Sequence, residues 1–284
     1  MRSRSFIRIS AALLAVSVSA AAAAYGQRVA VVAPASDGFA KLVRDDLAGS
    51  LAAPIRVLDD SLASIAFASQ ALDNGPFNMT TEQARQAGAV MGCDIFVLVQ
   101  AGSSRRASLE RADHFEAYAA IFVVSSRTGR LVRWRLESET ADTEPDARAR
   151  LRSRVAKAAG EVAVDMQRTI AAEAAEPLRP ASVPPRTAAP DPTLREPVPY
   201  RRIKPEYTRQ AYLYGVAATV DVQVDLDAGG RISSVEVVRW AGFGLDGSVL
   251  DAVRKMNWRP AERQGKPLSY RFLLRYNFKK LDQQ

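Results

Sequence analysis

Apolar and polar positions alternate along residues 216–226: Val216, Ala218, Val220, Val222, Val224 and Leu226 are separated by Thr219, Asp221, Gln223 and Asp225. A period of two places one set on a buried face and the other on a wet face, so the run predicts a strand. Asp227-Ala228-Gly229-Gly230 supplies glycines able to take the positive φ of a tight turn, and the β-branched run from Ile232 to Val238 completes a hairpin. The period then changes. Leu245, Val249, Val253 and Met256 recur at helical spacing, Leu250 widens the stripe, and Pro260 ends it. From Tyr270 to Phe278 the alternation returns, with Tyr270, Phe272, Leu274, Tyr276 and Phe278 on one face and Arg271, Leu273, Arg275 and Asn277 on the other. Residues 205–278 therefore predict helix, hairpin, helix and strand, the last with a packed aromatic face and a cationic outer face.

Upstream the pattern is of another kind. Arg28 to Pro34 reads as a short strand, and Asp37 can cap a helix whose apolar positions include Phe39, Leu42, Val43 and Leu47. Ile55 to Leu58 predicts a second strand. Thr80-Thr81-Glu82 opens a further helix that Gly92 can end before a buried-type strand from Asp94 to Ala101. Strands Phe115 to Ser125 and Leu131 to Glu139 flank the turn Arg127-Thr128-Gly129-Arg130, and Pro145 starts a long helix from Asp146 to Ala175. The order β-α-β-α-β-β-β-α predicts an α/β domain over residues 27–176.

The carboxy-terminal segment resembles the C-terminal domain of the TonB family, periplasmic proteins that engage outer-membrane transport receptors. The resemblance rests on Pro205-Glu206-Tyr207, Gly215-Val216, the valine-rich strand and its turn, Leu245-Asp246, Trp258-Arg259-Pro260-Ala261, Gly265-Lys266-Pro267 and the closing aromatic strand. Two departures stand out: Thr208 where the family usually has proline, and Trp240-Ala241-Gly242-Phe243-Gly244 where it has a small or serine-rich turn. The resemblance implies a small TonB-type domain with a three-stranded antiparallel sheet and two helices; joined to the amino-terminal α/β domain by a Pro-rich linker, it makes the expected fold class α+β. It also implies that the last strand takes up an extended peptide of an outer-membrane TonB-dependent receptor. Pro205, Tyr207, Arg271, Leu273, Arg275, Tyr276 and Asn277 are then the candidate partner-binding residues. More faintly, Gly88 to Asp94 resembles a turn of the TolB amino-terminal and CsgG-like α/β domains.

Composition adds the cellular setting. Arg2, Arg4 and Arg8 precede an apolar run from Ile9 to Ala24 that ends in small residues, the order of a secretory signal peptide. Residues 1–26 thus read as a cleaved signal peptide or, alternatively, an uncleaved anchor, which makes the expected location the periplasm with or without inner-membrane attachment. The run contains no histidine, so the family's energy coupling through the ExbB–ExbD proton channel does not carry over; ExbB–ExbD is a partner only for the anchored form. Prolines at 177, 180, 184, 185, 190, 192, 197 and 199 mark a semi-rigid linker, placed at 177–196, ahead of the last domain at 197–284. The formal charge of +8 is uneven: −2 over residues 27–176 and +6 over 197–284. A basic surface suits nucleic acid, acidic lipid, peptidoglycan or an acidic peptide, and the export signal argues against nucleic acid, which is not among the expected partners.

No catalytic constellation emerges. Cys93 is the single cysteine and reads as a buried thiol, and His114 is the single histidine, so neither a metal site nor a nucleophilic triad can be assembled and no cofactor is expected. Gly242-Phe243-Gly244-Leu245-Asp246-Gly247 fits a dinucleotide-binding spacing. It follows an antiparallel hairpin, however, and lacks the acidic residue ~20 positions on. It is read as a turn in which Asp246 caps the helix.

Overall fold

The computed structural model describes residues 26–34, 37–107, 113–175 and 192–279. All but Gly26 of the expected signal segment and all but the end of the expected linker therefore lie outside the described residues. No helix among those described is long and apolar enough to cross a membrane.

The amino-terminal part runs β1 (Gln27–Val32), α1 (Gly38–Ser50), β2 (Ile55–Val57), α2 (Asp60–Ala68), α3 (Thr81–Met91), β3 (Ile95–Arg106), β4 (His114–Ser125), β5 (Leu131–Ala141) and α4 (Glu144–Ala175). Its sheet has the order β2-β1-β3-β4-β5, parallel at β2-β1-β3 and antiparallel beyond. Local chemistry sets the helix ends as the sequence predicts. Asp37 accepts from the Phe39 amide, Thr80 and Gln83 form a reciprocal capping box, and Gly92 ends α3 at φ 68°. Helix α2 is not among the elements the sequence predicts: Asp59 caps it through the Leu62 amide, yet Leu62 and Ile65 lie 71% and 69% exposed. Its burial falls on Ala63 and Phe67, so its apolar residues trace no single stripe.

Side chains alternate across this sheet. Val29, Val31, Ile95, Val97, Val99, Ile121 and Val123 pack against α1 and α4. Ala30, Val32, Phe96, Leu98, Ala120, Phe122 and Val124 face the opposite way and lie in one core with both α2–α3 and the carboxy-terminal domain. Cys93 is buried at this face, and burial pushes its thiol pKa up.

The carboxy-terminal part follows with β6 (Leu194–Arg195), β7 (Val198–Pro199), α5 (Arg209–Leu213), β8 (Ala218–Leu226), β9 (Ile232–Arg239), α6 (Leu245–Arg254), β10 (Trp258–Arg259), β11 (Ala261–Arg263), β12 (Lys266–Leu268) and β13 (Tyr270–Phe278). Strands β13-β8-β9 make the expected three-stranded antiparallel sheet, with α5 and α6 as its two helices. Short ribbons β7-β10 and β6-β11-β12 complete it; two or three residues are too few to show a period, and the sequence does not reveal them.

Candidate functional site

Strand β13 pairs with β8 over nine residues, from Tyr270↔Leu226 to Phe278↔Ala218, without a register shift. Its other side borders no strand among the described residues, which leaves a row of backbone groups open to an incoming chain. The aromatic face packs as predicted: Phe272 meets Trp258 at 4.9 Å between ring centroids, and Phe278 stacks on Tyr207 at 6.2 Å.

The outer face of β13 is more engaged than a solvated cationic face. Arg271 grips Asp225, with Nη2 donating at 2.7 Å, and Arg275 donates to both oxygens of Asp221 at 2.8 and 2.9 Å. Asp221 is only 3% exposed and also accepts from Arg239 Nε at 3.1 Å. The guanidinium groups are held in the chelating geometry that favours strong pairs. Their hydrogen bonds raise both arginine pKa values, and they turn the forks toward the chain's own carboxylates. Leu273 stands outward between them, 38% exposed. Thr219 Oγ1 donates to Asn277 Oδ1 at 2.9 Å.

Pro205 and Tyr207 lie behind the sheet. Pro205 is buried, and the Tyr207 hydroxyl sits 3.1 Å from the Ala211 carbonyl and 2.8 Å from that of Val216, tying α5 to the start of β8. The structure thus joins Arg271, Leu273, Arg275, Tyr276 and Asn277 on one strand, with Pro205 and Tyr207 as its support. Thr208 explains the first departure from the family pattern. It caps α5 by accepting from the Ala211 amide, and its hydroxyl donates to the Phe243 carbonyl at 2.5 Å, a contact proline has no donor for.

The second departure, Trp240 to Gly244, is the feature whose role the sequence leaves unread. It leaves β9 through three successive positive φ values, 70° at Gly242, 51° at Phe243 and 77° at Gly244, and inserts into the amino-terminal domain. Phe243 lies 4.9 Å from Trp134 and 6.0 Å from Phe122, and Trp240 lies 6.0 Å from Phe122. A Cβ on Gly242 would fall 2.6 Å from Phe122 Cε1 and 2.7 Å from Trp134 Cδ1, so only glycine allows this approach. The indole Nε1 of Trp240 donates to the Gly129 carbonyl at 3.1 Å, and its amide to the Met79 carbonyl at 3.2 Å.

Polar contacts flank this aromatic plug. Asn78 Nδ2 donates at 2.7 Å to the carbonyls of Thr219 and Trp240, and Arg239 Nη1 returns a bond to the Asn78 carbonyl at 3.0 Å. Arg130 Nε donates to Glu236 at 2.7 Å. Tyr214 donates to Glu116 at 2.9 Å and packs on Tyr118 at 4.5 Å; burial, then Glu116, push its pKa up to about 12.

Asp246 does not cap α6, whose N-cap is Gly244 without a side-chain bond. Its carboxylate reaches back to the Ala241 and Gly242 amides, each at 2.8 Å, and fixes the inserted loop; burial pushes its pKa up to about 6. The glycine-rich spacing therefore serves docking rather than a dinucleotide.

Comparison with known proteins identifies a family for the last domain. The model of a family described as "Gram-negative bacterial TonB protein C-terminal" matches residues 203–280. Among curated proteins, none matches the sequence. The chain is similar to the solution NMR structure of the Pseudomonas aeruginosa TonB CTD, at 24% identity over 33% of this chain and 92% of that one, with a TM-score of 0.27. Lipoprotein GNA1162 from Neisseria meningitidis gives 14% identity over 48% of this chain and 98% of its own, with a TM-score of 0.31. The hypothetical protein CT253 from Chlamydia trachomatis gives 11% over 50% and 99%, again with a TM-score of 0.31. At these scores none of the three carries an argument about partners or activity.

Proposed function

We propose that this chain, whose last domain is a TonB C-terminal domain, is a periplasmic adaptor that engages outer-membrane receptors by strand addition, in TonB-dependent transport. The observation that supports this reading is the contrast between the two sheet edges. Strand β13 offers nine residues in unbroken register, whereas β9 shifts register twice against β8 and meets Thr80 at Arg239. Bulged and capped edges resist pairing, and a straight open one invites it. An added receptor strand would take its affinity from the backbone ladder. Leu273, Tyr276 and Asn277 would read its side chains, while Asp225 and Asp221 keep Arg271 and Arg275 in place along the strand. Pro205 and Tyr207 hold the strand's support.

The junction favours a second reading. Because Trp240 and Phe243 seat the domain on the amino-terminal sheet, the chain also suits a periplasmic scaffold that keeps the TonB-type fold without transmitting force. Coupling to ExbB–ExbD belongs only to a form that retains residues 1–26, which the intact mass of the protein from the cell envelope decides.

Titration of residues 27–284 with amino-terminal peptides of the organism's own outer-membrane receptors separates the two. Saturable binding with amide shifts confined to 270–278, weakened at least tenfold by Leu273→Pro, supports the adaptor. A folded chain that binds no peptide above a scrambled control leaves the scaffold.

A further inference from the structure

The basic excess of the last domain is not spread over it. Residues 195–209 and 251–266 hold ten Lys and Arg against four Asp and Glu, whereas residues 210–250 and 267–284 hold six of each. The sheet is thus electrically balanced, as its Arg271–Asp225 and Arg275–Asp221 pairs require. The whole excess lies in the segments that form the short ribbons.

Pairing brings those segments together. Strand β7 lies antiparallel to β10 with Val198 opposite Arg259, and the Tyr200 amide donates to the Asn257 carbonyl at 2.9 Å. Trp258 turns inward and is buried, so Val198, Tyr200, Asn257 and Arg259 share the outward face. Val198 is 53% and Tyr200 69% exposed. On the chain segments that adjoin these strands Arg201, Arg202, Arg254 and Lys255 are all exposed, and among the described residues none of these four, nor Arg259, makes an ion pair. Elsewhere arginines are commonly paired, as Arg133 is with Asp165 and Arg152 with Asp46. An exposed tyrosine beside an exposed valine, on a ribbon flanked by unpaired cations, is a surface for a bilayer interface: the ring sits at headgroup depth and the cations meet lipid phosphates.

We propose that the β7–β10 ribbon is a membrane-surface contact that binds anionic phospholipid through Arg201, Arg202, Arg254, Lys255 and Arg259, with Tyr200 and Val198 entering the headgroup layer. An acidic polypeptide shares the charge but gives no use to the exposed apolar pair. Arg202 also lies near enough to Tyr276 to lower a phenol pKa that burial raises, so the ribbon adjoins one end of β13. A chain resting on lipid through this ribbon would present that edge strand beside the bilayer surface. The proposal is independent of which partner β13 takes.

Co-sedimentation of residues 27–284, which contain every described element and lack the apolar run Ile9–Ala24, tests it. Vesicles of phosphatidylcholine with 30 mol% phosphatidylglycerol should bind the chain, pure phosphatidylcholine should not, and 0.5 M NaCl should release it. Each cation near an anionic surface is worth roughly fivefold in partitioning, so Arg201→Gln/Arg202→Gln/Arg259→Gln should lose about a hundredfold with an unchanged circular dichroism spectrum. Tyr200→Ser should weaken binding while leaving its salt dependence unaltered. Equal binding to both vesicle types, retention by the triple variant, no binding at all, or binding of soluble poly-glutamate in place of vesicles would each overturn the proposal.

Discussion

The side-chain amide of Asn78 faces Thr219 as a neighbouring strand would: its Oδ1 accepts from the Thr219 amide at 2.9 Å and its Nδ2 donates to the Thr219 carbonyl at 2.7 Å. The ladder between β8 and β9 ends at Asp221↔Arg239, so Thr219 lies just past the point where β9 leaves for the inserted loop. Asn78 replaces the missing strand there. Its second Nδ2 hydrogen satisfies the carbonyl of Trp240, the first residue past the end of β9.

Asn78→Ala should therefore leave one amide and two carbonyls without partners. A buried group left so costs about 1–3 kcal/mol, and with partial relaxation the total should be about 3 kcal/mol. Asn78→Asp keeps the size but removes both donors and should cost at least as much. Urea midpoints of the two variants check this, and a loss under about 1 kcal/mol for both would mean that water serves these groups equally well.

This junction shows where sequence reading stops. Strands β8 and β13 and helix α6 were legible because their apolar residues repeat with period two or at helical spacing, and their burial largely follows those repeats; β9 was legible from its β-branched run after a glycine turn, though its burial does not alternate. The period located β13 as a strand, whereas its reading as the partner-binding edge came from the resemblance to the TonB family. Helix α2 was not legible, since Leu62 and Ile65 face outward while small Ala63 is buried. Docking was not legible either: Asn78 and Trp240 are 162 residues apart, and no local period reports such a match. A tryptophan and a phenylalanine within a five-residue turn were the visible signal, because large apolar side chains in a turn need a partner surface.

Asp246 should make the junction sensitive to pH. Burial raises its pKa to about 6, above the ordinary carboxyl range it would have in the unfolded chain. The folded state therefore binds the proton more tightly. Its contribution is fully present below about pH 4 and is lost as pH rises through about 6, amounting to on the order of 2–3 kcal/mol. Asp246→Asn removes this dependence while giving up one acceptor for the Ala241 and Gly242 amides. Subtracting the variant's unfolding free energy from that of the unaltered chain, from pH 4 to pH 7.5, should show a decline centred between those limits. A flat difference would mean that the carboxylate is solvated.

Arg275 carries a different expectation from the one its position in the sequence suggests. A reversed charge on a wet strand face would disturb only a screened contact, but Arg275 is one of two arginines on a carboxylate that is 3% exposed. Arg275→Glu should leave Arg239 alone to balance two carboxylates and should cost about 2 kcal/mol. At about 2–4 °C per kcal/mol for a unit of this size, Tm should fall by roughly 6 °C. Adding Asp221→Asn should recover part of that loss. An unchanged Tm for the single variant would show that the pair is as well hydrated as a surface bridge.

Cleavage between the domains should not separate them. Trp240 and Phe243 fill a sheet face that α2 and α3 leave partly uncovered, and Asn78, Arg130 and Glu116 add polar bonds around it, so the junction resembles a domain core more than a tethered contact. With a specific protease site inserted between Pro185 and Arg186, the two cut fragments should co-elute at micromolar concentration. Gly242→Ala should part them, because its φ of 70° disfavours a side chain and its Cβ would press on Phe122 and Trp134, each a ring already packed against Phe243. Strain and overpacking together cost about 2–4 kcal/mol, enough to move the fragments' affinity by about 30- to 1,000-fold. Gly247→Ala, where no atom lies within 4 Å of the added Cβ, is the control and should leave co-elution intact. Fragments that separate without any substitution would make the aromatic plug a loose contact and return the carboxy-terminal domain to an independent, tethered existence.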